Sequence, residues 1–495
     1  MTGLSWNRYS PVIRFALKSV PLYMRLTHMI FPAVLFLGLM AGCVHYQDKP
    51  LSAAKTADDL ESRSLAAPEL KVFLEANLGH EINEWPLSTW DFPRLTLVAL
   101  YYHPSLDVAR AQWNVARAGA RTGAGRPNPV IGIVPGYNFN SAPGVTPWIP
   151  GLNYDLPIET AGKRGHRIKR AEALSESARL NIAVTAWQVR SHLRASLLDF
   201  AAAQRRTTLL QNQLEVQQLV TQLLDKRLQA GAVSAIEITP SRVALFKLTA
   251  DLAEARRQAG DAHGRIAEAL GLPLKAIEGL DLTFDLAAAE AGRDLTSSDA
   301  RTQALQTRAD VLASLAEYAA SQSALQLEVA RQWPDVHLGT GYQWDQGESK
   351  WSPGLTLELP VLNRNQGPIA EAQARREEAA ARFLALQARV IAEIDRSLAN
   401  LLVVQTQLAQ SQSLTQTLRQ QAQSIEAAFK AGGADQLDVN SARLESTLGE
   451  LTTLDAQIKF QQALGLLEEA IQRPLDLPGG AGAFEHDTHA ARVSP

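Results

Sequence analysis

Cysteine is almost absent from this chain of 495 residues, since Cys43 is the only one. A chain with one cysteine forms no internal disulfide and has no cysteine-based metal site. A basic surplus is also missing, because 48 Lys and Arg stand against 51 Asp and Glu and the sequence pI is about 6.4. Nucleic-acid-binding domains usually carry a basic patch or stripe. We therefore expect no nucleic-acid partner.

Catalytic motifs are missing as well. The ten histidines are scattered, and no Gly-x-Ser-x-Gly sequence marks a hydrolase nucleophile. The stretch Ala161–Arg164 is similar to a phosphate-binding loop, but Pro157 stands where the first Gly belongs and no Ser or Thr follows the lysine. The tail sequence Glu485–His489 is more typical of a solvated tail than of a metal site. The sequence predicts no enzyme, no cofactor and no bound metal.

The N-terminal apolar run Met29–Met40 is too short for a good membrane span. Basic residues precede it and small residues end it, which is typical of an export signal. The ending Leu39–Cys43 resembles the lipobox of bacterial lipoproteins, in which the cysteine is acylated after cleavage. We predict a lipoprotein signal peptide over 1–42 and lipid attachment at Cys43. An ordinary cleaved signal is the alternative, and Met24 is a second candidate start.

Glycine and proline are absent from two long stretches, His166–Gln229 and Ile369–Lys430. Apolar residues recur there at spacings of three and four, as in coiled coils. At 1.5 Å per residue the second stretch forms a helix of about 90 Å. A Gly turn and another helical stretch follow each, so we predict long hairpins over 166–271 and 369–473. Thr239-Pro240 is expected to provide the N-cap and first-turn Pro of the first returning helix.

The two hairpins belong to an internal duplication. Trp148-x-Pro-Gly-Leu152 recurs as Trp351-x-Pro-Gly-Leu355, and Ala230-Gly231 recurs as Ala431-Gly432, 201 positions later. A unit of about 200 residues is too long for a solenoid module. We predict two homologous repeats in one architecture. The segments are a linker at 43–93, a first repeat at 94–282, a connector at 283–298, a second repeat at 299–475 and a disordered tail at 476–495.

Four short segments alternate between large apolar residues and Gly, Asn or Asp, which is the period of a strand with two different faces. They lie near 130–140, 148–158, 335–345 and 351–361. Such strands of about ten residues are typical of a transmembrane β-barrel with lipid outside and water inside. A soluble sandwich with one wet face is the alternative. Six aromatic residues fit an interfacial girdle: Tyr137, Trp148, Tyr154, Tyr342, Trp344 and Trp351.

Four strands cannot close a barrel, because the smallest bacterial barrels have about eight strands. Lipid tolerates no open sheet edge. If the strands span a membrane, several copies must therefore share one barrel, and three copies would give twelve strands.

Together these residues resemble the TolC-like outer-membrane efflux proteins, over essentially all of the mature chain. The motifs that carry the resemblance are Pro127-Asn128-Pro129, Asp155–Arg164 and Leu359–Gly367. The last two look like the branch associated with cobalt-zinc-cadmium resistance, although Thr160-Ala161 interrupts the usual Gly-Gly-Lys-Arg pattern. Arg227–Ser234 is similar to the hairpin-tip motif through which such proteins meet a periplasmic adaptor.

The resemblance implies a mainly α fold with a membrane β-barrel part, in which a homotrimer shares a twelve-stranded barrel and a periplasmic α-helical tunnel. It implies a passive efflux duct, lipid-anchored in the outer membrane of a Gram-negative bacterium, with heavy-metal cations as a candidate cargo. The implied partners are outer-membrane lipid, a periplasmic adaptor and an inner-membrane pump of the resistance-nodulation-division type. The adaptor-docking tips are then Arg227, Leu228, Gly231, Val233, Ser234, Gly432 and Gly433. A type I protein secretion duct and a lipid-anchored coiled-coil structural protein are the alternatives.

Three acidic residues near the tips form a candidate entrance gate: Glu237, Asp435 and Asp438. If they face inward, three copies would form a ring that concentrates cations and is held by nearby Arg or Lys. The alternative is that they cap the returning helices, because Asp and Glu favour the first turn of a helix.

Overall fold

The computed structural model describes residues 44–287 and 296–475. The predicted signal peptide, the lipid-attachment residue Cys43, part of the connector and the predicted tail lie outside the described residues. Of the described residues, those up to Asp59 belong to one unit and those from Leu60 onward belong to a second. The first unit contains most of helix α1 (Ala53–Glu61).

The second unit contains two successive sets of elements that share a helix pair, a strand pair and a long helical hairpin. The first set contains α2 (Pro68–Leu78), β1 (Thr89–Asp91), α3 (Phe92–Tyr102), α4 (Pro104–Gly123), β2 (Val130–Tyr137), β3 (Trp148–Ile158), α5 (Lys163–Gln229) and α6 (Ala235–Leu270). The second contains β4 (Asp281–Thr283), α7 (Ser297–Thr307), α8 (Ala309–Ala330), β5 (Val336–Asp345), β6 (Glu348–Leu357), α9 (Gln366–Lys430) and α10 (Gln436–Ile471). This order confirms the predicted fold of tandem repeats, each with helices, a strand pair and a long helical hairpin.

The long helices dominate each repeat. Helix α5 has 67 residues and α9 has 65, and each begins three residues before the predicted Gly- and Pro-free stretch. Helix α5 packs against α6 and α9 packs against α10. Helix α5 also packs along α10, so the two repeats join through their hairpins. In the part of the chain that the structure describes, no helix is long and apolar enough to cross a membrane.

The predicted start of α6 was wrong. The helix begins at Ala235 with Ser234 as N-cap, and Pro240 lies inside it. The Glu237 carboxylate accepts hydrogen bonds from the Ser234 hydroxyl at 2.9 Å and from its backbone N–H at 3.4 Å. The capping box of Ser234 and Glu237 fixes the helix start at Ser234. Proline so near a helix start removes only one backbone hydrogen bond.

The predicted linker is folded from Leu60 onward. Leu70 and Leu74 of α2 and Trp90 of β1 are fully buried, and they share one apolar core with Leu193 of α5 and Leu270 of α6. Two of the prolines that suggested an interrupted chain, Pro68 and Pro93, instead occupy helix starts, where a missing N–H costs nothing. This part of the chain is therefore a packed element of the first repeat rather than a linker.

Strands β2, β3, β5 and β6 form one antiparallel sheet in that order. The last strand begins three residues before the predicted segment 351–361 and ends at Leu357, which pairs with Val336. Because β5 begins at Val336, the residues after Leu357 have no pairing partner on β5. A separate parallel pair joins β1 to β4.

A buried ionic cluster fastens α5 to α10. Arg190 Nη1 lies 2.8 Å from Glu468 Oε2, and Arg194 Nε lies 3.5 Å from the same oxygen. Arg194 also donates to the backbone oxygen of Gln461 at 2.7 Å and to its side-chain oxygen at 2.8 Å. A Cβ on Gly465 would lie only 2.5 Å from Arg194 Nη1, so glycine leaves the space that the guanidinium fills. The cluster ties the two repeats together.

Candidate functional site

The sheet has one continuous apolar face. Register places Ile133 opposite Leu152, Leu152 opposite Tyr342 and Tyr342 opposite Trp351, which makes a row across all four strands. Directly paired residues on antiparallel strands lie on the same face of the sheet. Ile133 is 80% exposed and Trp351 is 69% exposed. Contiguous exposed apolar patches are rare on soluble monomers and mark contacts with protein or membrane.

The opposite face is polar and rich in glycine. The same register aligns Gly132, Asn153, Gly341 and Ser352 in the adjacent row. On this face His337 Nδ1 lies 2.9 Å from Asp155 Oδ2. The predicted division into an apolar and a polar face therefore crosses all four strands, with Val130, Val134 and Ile149 as the apolar residues on the polar face.

The six predicted girdle aromatics occupy successive rows of the apolar face, from the hairpin end at Trp148 to the middle of the sheet. The rings of Tyr137 and Trp148 lie 5.1 Å apart, and those of Tyr342 and Trp351 lie 4.9 Å apart. Trp344 lies beside Ser349 in the same hairpin. Tyr154 pairs with Ile131 and Thr340, one row beyond Tyr342 and about 20 Å along the strand from Trp148. The girdle role of these residues stays a prediction.

Two further aromatic residues beside the strand ends, Phe139 and Trp333, were not among the predicted girdle residues. Phe139 packs against Tyr137 with ring centroids 5.0 Å apart, just beyond the end of β2. Trp333 precedes β5 and is 65% exposed. Phe139 lies in the predicted strand segment 130–140 but was not assigned to the girdle, whereas Trp333 lies outside all four predicted strand segments.

The predicted adaptor-docking residues lie in the two hairpin turns and the helix ends beside them. Arg227 and Leu228 are in the last turn of α5, and Val233 and Ser234 directly precede α6. Gly231 has φ of +72° and Gly432 has φ of +81°, a left-handed conformation that favours glycine. Gly433 follows in the second turn, where its N–H donates to the Ala428 oxygen at 2.8 Å. The docking role itself stays a prediction.

All three candidate gate residues take part in capping. Asp435 Oδ1 accepts from the N–H of Leu437 at 2.7 Å and from that of Asp438 at 3.0 Å. Asp438 Oδ2 accepts in return from the Asp435 N–H at 2.9 Å. Glu237 has the equivalent place in the first tip. The capping alternative is therefore present in the structure, and the gate role stays a prediction that this geometry permits.

One ion pair joins the two tips within a chain. Arg227 Nη2 lies 2.6 Å from Asp435 Oδ2. The Asp438 N–H, the Arg227 guanidinium and the Leu437 N–H together hold the pKa of the Asp435 carboxyl below its usual value. No local pattern in the sequence pairs Arg227 with Asp435, because 208 positions separate the two residues. We call this pair the tip latch.

Two further ion pairs flank the latch, one inside each hairpin. Arg242 lies 2.7 Å from Asp225, and Arg443 lies 3.4 Å from Glu426 at the equivalent place in the second repeat. The duplication therefore preserves the pairs within hairpins. It does not preserve the latch, because the residue of the second repeat that corresponds to Arg227 is Ala428. Across residues 44–287 and 296–475, no group of three or more His, Cys, Asp or Glu side chains is arranged to hold a metal ion.

A two-faced sheet attached to paired helical hairpins of this length defines the class of outer-membrane channel proteins. A family described as outer membrane efflux protein matches residues 97–272 and 300–471. These ranges cover most of the chain, including both hairpins and all four sheet strands. The chain belongs to the outer membrane efflux protein family.

Among individual proteins, the chain is similar to the cobalt-zinc-cadmium resistance protein CzcC of Cupriavidus metallidurans. The two are 27% identical over 330 residues, which cover 64% of this chain and 73% of that protein. This likeness agrees with the branch that the strand-end motifs indicated.

Solved structures show the same fold. The outer-membrane channel OprN superposes with a TM-score of 0.65 at 19% identity, over 87% of this chain and 99% of that chain. The outer membrane protein VceC from Vibrio cholerae superposes with a TM-score of 0.63 at 17% identity, over 78% of this chain and 97% of that chain. Both likenesses concern the fold.

Proposed function

We propose that this chain is the outer-membrane duct of a tripartite efflux system and gives cargo a passive exit. The observation that carries the proposal is the sheet, whose apolar face crosses all four strands opposite a face of Gly, Asn, Asp and Ser. A surface of that kind suits lipid on one side and water on the other.

Three copies complete the barrel. Strands β2 and β6 are the edges of the four-stranded sheet, and an edge in lipid leaves backbone groups without hydrogen-bond partners. Pairing β6 of one copy with β2 of the next satisfies both edges and gives twelve strands in a homotrimer. The long hairpins then continue from the barrel into the periplasm, and Cys43 carries the lipid that anchors the chain in the outer membrane.

The hairpin tips form the periplasmic entrance. Their two turns present the predicted docking residues to a periplasmic adaptor, which links the duct to an inner-membrane pump of the resistance-nodulation-division type. The pump supplies the energy. In this arrangement the tip latch holds the entrance closed in each copy, and Asp435 and Asp438 add negative charge near the opening.

The cargo that we propose is divalent heavy-metal cations. The support is the similarity to a cobalt-zinc-cadmium resistance protein and the motif Leu359–Gly367 of the same branch. A duct needs no binding site for its cargo, because selection belongs to the pump and the adaptor.

The test is expression of this chain in a Cupriavidus metallidurans strain that lacks CzcC. We expect restored growth on cobalt, zinc and cadmium. A matched control carries Leu152→Arg, which places a charge on the lipid-facing side of the sheet. Unchanged metal sensitivity, with the chain present in the outer membrane, would contradict the metal cargo. Rescue of protein export together with an ABC exporter would instead support the type I secretion alternative.

A further inference from the structure

His337 and Asp155 meet on the polar face of the sheet. His337 Nδ1 lies 2.9 Å from Asp155 Oδ2, and the two side chains are 40% and 42% exposed. Asp155 is on β3 opposite Gly339, and His337 is two residues before Gly339 on β5. The pair therefore spans the junction between the two repeats, on the face that we assign to water.

The carboxylate determines which ring nitrogen is free. An ionised carboxylate only accepts hydrogen bonds, so in the neutral imidazole Nδ1 carries the proton and donates a hydrogen bond to Asp155. The lone pair of His337 then lies on Nε2, and within residues 44–287 and 296–475 Nε2 has no hydrogen-bond partner. Histidines that bind metal ions usually donate their other N–H to a carboxylate in this way, which orients the ring and raises its basicity.

The space beside the ring is open. Asp155 pairs with Gly339, and Gly339 pairs with Gly354 on β6. Two adjacent strands therefore present no side chain in the row next to His337. A Cβ on Gly339 would approach no atom closer than 3.6 Å, and one on Gly354 none closer than 3.9 Å. Side chains would fit at both positions, and their absence leaves a gap that a hydrated cation can enter.

A second carboxylate close to the ring is already occupied. Asp335 precedes His337 by two residues, and its Oδ1 accepts from Lys163 Nζ at 2.7 Å and from the Thr160 N–H at 2.9 Å. Lys163 balances that charge. In the described part of the chain, Asp155 has no ion-pair partner other than the His337 ring. Asp155 is therefore the carboxylate that attracts cations to this point of the wet face.

The pair holds a metal ion weakly. Across the two described ranges no three or more His, Cys, Asp or Glu side chains are arranged to hold a metal ion. Water must therefore fill the coordination positions that the imidazole leaves open. Weak binding suits a conduction path, because a permeating ion has to leave each site that it enters.

We propose that His337, held in place by Asp155, is a transient binding site for transition-metal dications on the wall of the duct. Imidazole favours Zn²⁺ and related ions, whereas Mg²⁺ prefers oxygen ligands. The inference rests on the duct and the metal cargo proposed above, and it assigns one contact that such cargo makes on its way out.

The site occurs once in each chain. Gly136-Tyr137 corresponds to Gly341-Tyr342 in the duplication, so the counterpart of His337 in the first repeat is Gly132. A homotrimer then has three such sites at one depth of the barrel. They lie near the end of β3 and the start of β5, where the strands lead into the helices, so cargo that arrives through the tunnel passes them.

Equilibrium dialysis of the detergent-extracted full chain against Zn²⁺ tests the site itself. We expect His337→Gln to bind one zinc ion fewer per chain than the wild type at saturation, with Mg²⁺ binding unchanged. The matched control is His166→Gln, because His166 Nδ1 lies 3.1 Å from the amide oxygen of Gln326 and not from a carboxylate. We expect wild-type zinc binding for this control. An equal loss in both variants would contradict the site.

Asp155→Asn tests the positioning role of the carboxylate. Asparagine keeps an oxygen that accepts from Nδ1 and removes the charge. We expect the number of zinc ions per chain to stay the same and the zinc dissociation constant to rise about tenfold, as is typical when a supporting carboxylate is lost. An unchanged dissociation constant would contradict the positioning role.

Planar-bilayer recording connects the site to the duct. Zinc that stops at His337 should lower the single-channel current of the wild type more than the same concentration of Mg²⁺ does, and this difference should disappear in His337→Gln. Discrete channels with equal zinc binding and equal currents in the wild type and His337→Gln would overturn the site and leave the duct in place. A monomer without channels that still loses one zinc ion in His337→Gln would overturn the duct and leave the site in place.

Discussion

Arg227 of the first hairpin tip donates to Asp435 of the second across 2.6 Å. This contact joins two segments that are far apart in the chain and close together at the proposed entrance. If it holds the entrance closed, its removal should raise the single-channel conductance. We expect that rise for Arg227→Ala and for Asp435→Asn in planar bilayers. Asparagine is as good an N-cap as aspartate, so Asp435→Asn removes the charge and keeps the helix start.

The matched control for the latch is Arg242→Ala. Arg242 pairs with Asp225 at 2.7 Å within one hairpin, so its loss leaves the contact between tips in place. We expect wild-type conductance for this variant. An equal rise in both Arg variants would show that general loosening of the tips, and not the latch, changes the current.

The latch should resist acid. Its partners lower the pKa of Asp435 below the ordinary value of 3.8. A carboxyl with a lowered pKa contributes stability above its unfolded pKa and loses that contribution as the pH falls through the folded value. Conductance should therefore stay constant from neutral pH to about pH 4, near the usual Asp pKa, and rise only below it. A rise already complete by about pH 5 would contradict the latch.

The parts of the fold that could be predicted from the sequence are those with a periodic signal inside one element. Alternation located four strands, and the lack of Gly and Pro located both long helices, because these signals lie within one element. Trp90 and Leu70 were assigned to a linker, because a three-residue strand and short helices that begin with proline give little periodicity. Pro240 misplaced a helix start, because the capping pair Ser234 and Glu237 lies earlier in the sequence and begins the helix there. Arg227 with Asp435, and Arg190 with Glu468, depend on how the two repeats dock, which no local pattern encodes.

The buried cluster between repeats should be sensitive to loss of its carboxylate. Arg190 is 4% exposed and Glu468 is 1% exposed. Glu468→Ala leaves two guanidinium groups buried without their carboxylate, which typically costs about 3–5 kcal/mol. We expect a marked fall in the denaturation midpoint. Glu371→Ala, which removes an exposed ion pair with Arg375, should leave the midpoint nearly unchanged. Equal midpoints for the two variants would contradict a stabilising role for the cluster.

The two faces of the sheet should respond differently to the same change. Leu152→Arg puts a charge on the apolar face, where it costs about 2–4 kcal/mol at the middle of a bilayer. Asn153→Arg changes the next residue of the same strand on the polar face. We expect the first variant to be depleted from outer-membrane fractions and the second to insert normally. Similar insertion of both variants would mean that lipid does not cover the apolar face.

The most direct test of the shared duct is planar-bilayer conductance of the purified, detergent-extracted protein, with its native mass determined on the same sample. The account predicts a stable trimer that opens discrete channels. A monomer that gives no channels would contradict it, and would favour a lipid-anchored coiled-coil scaffold.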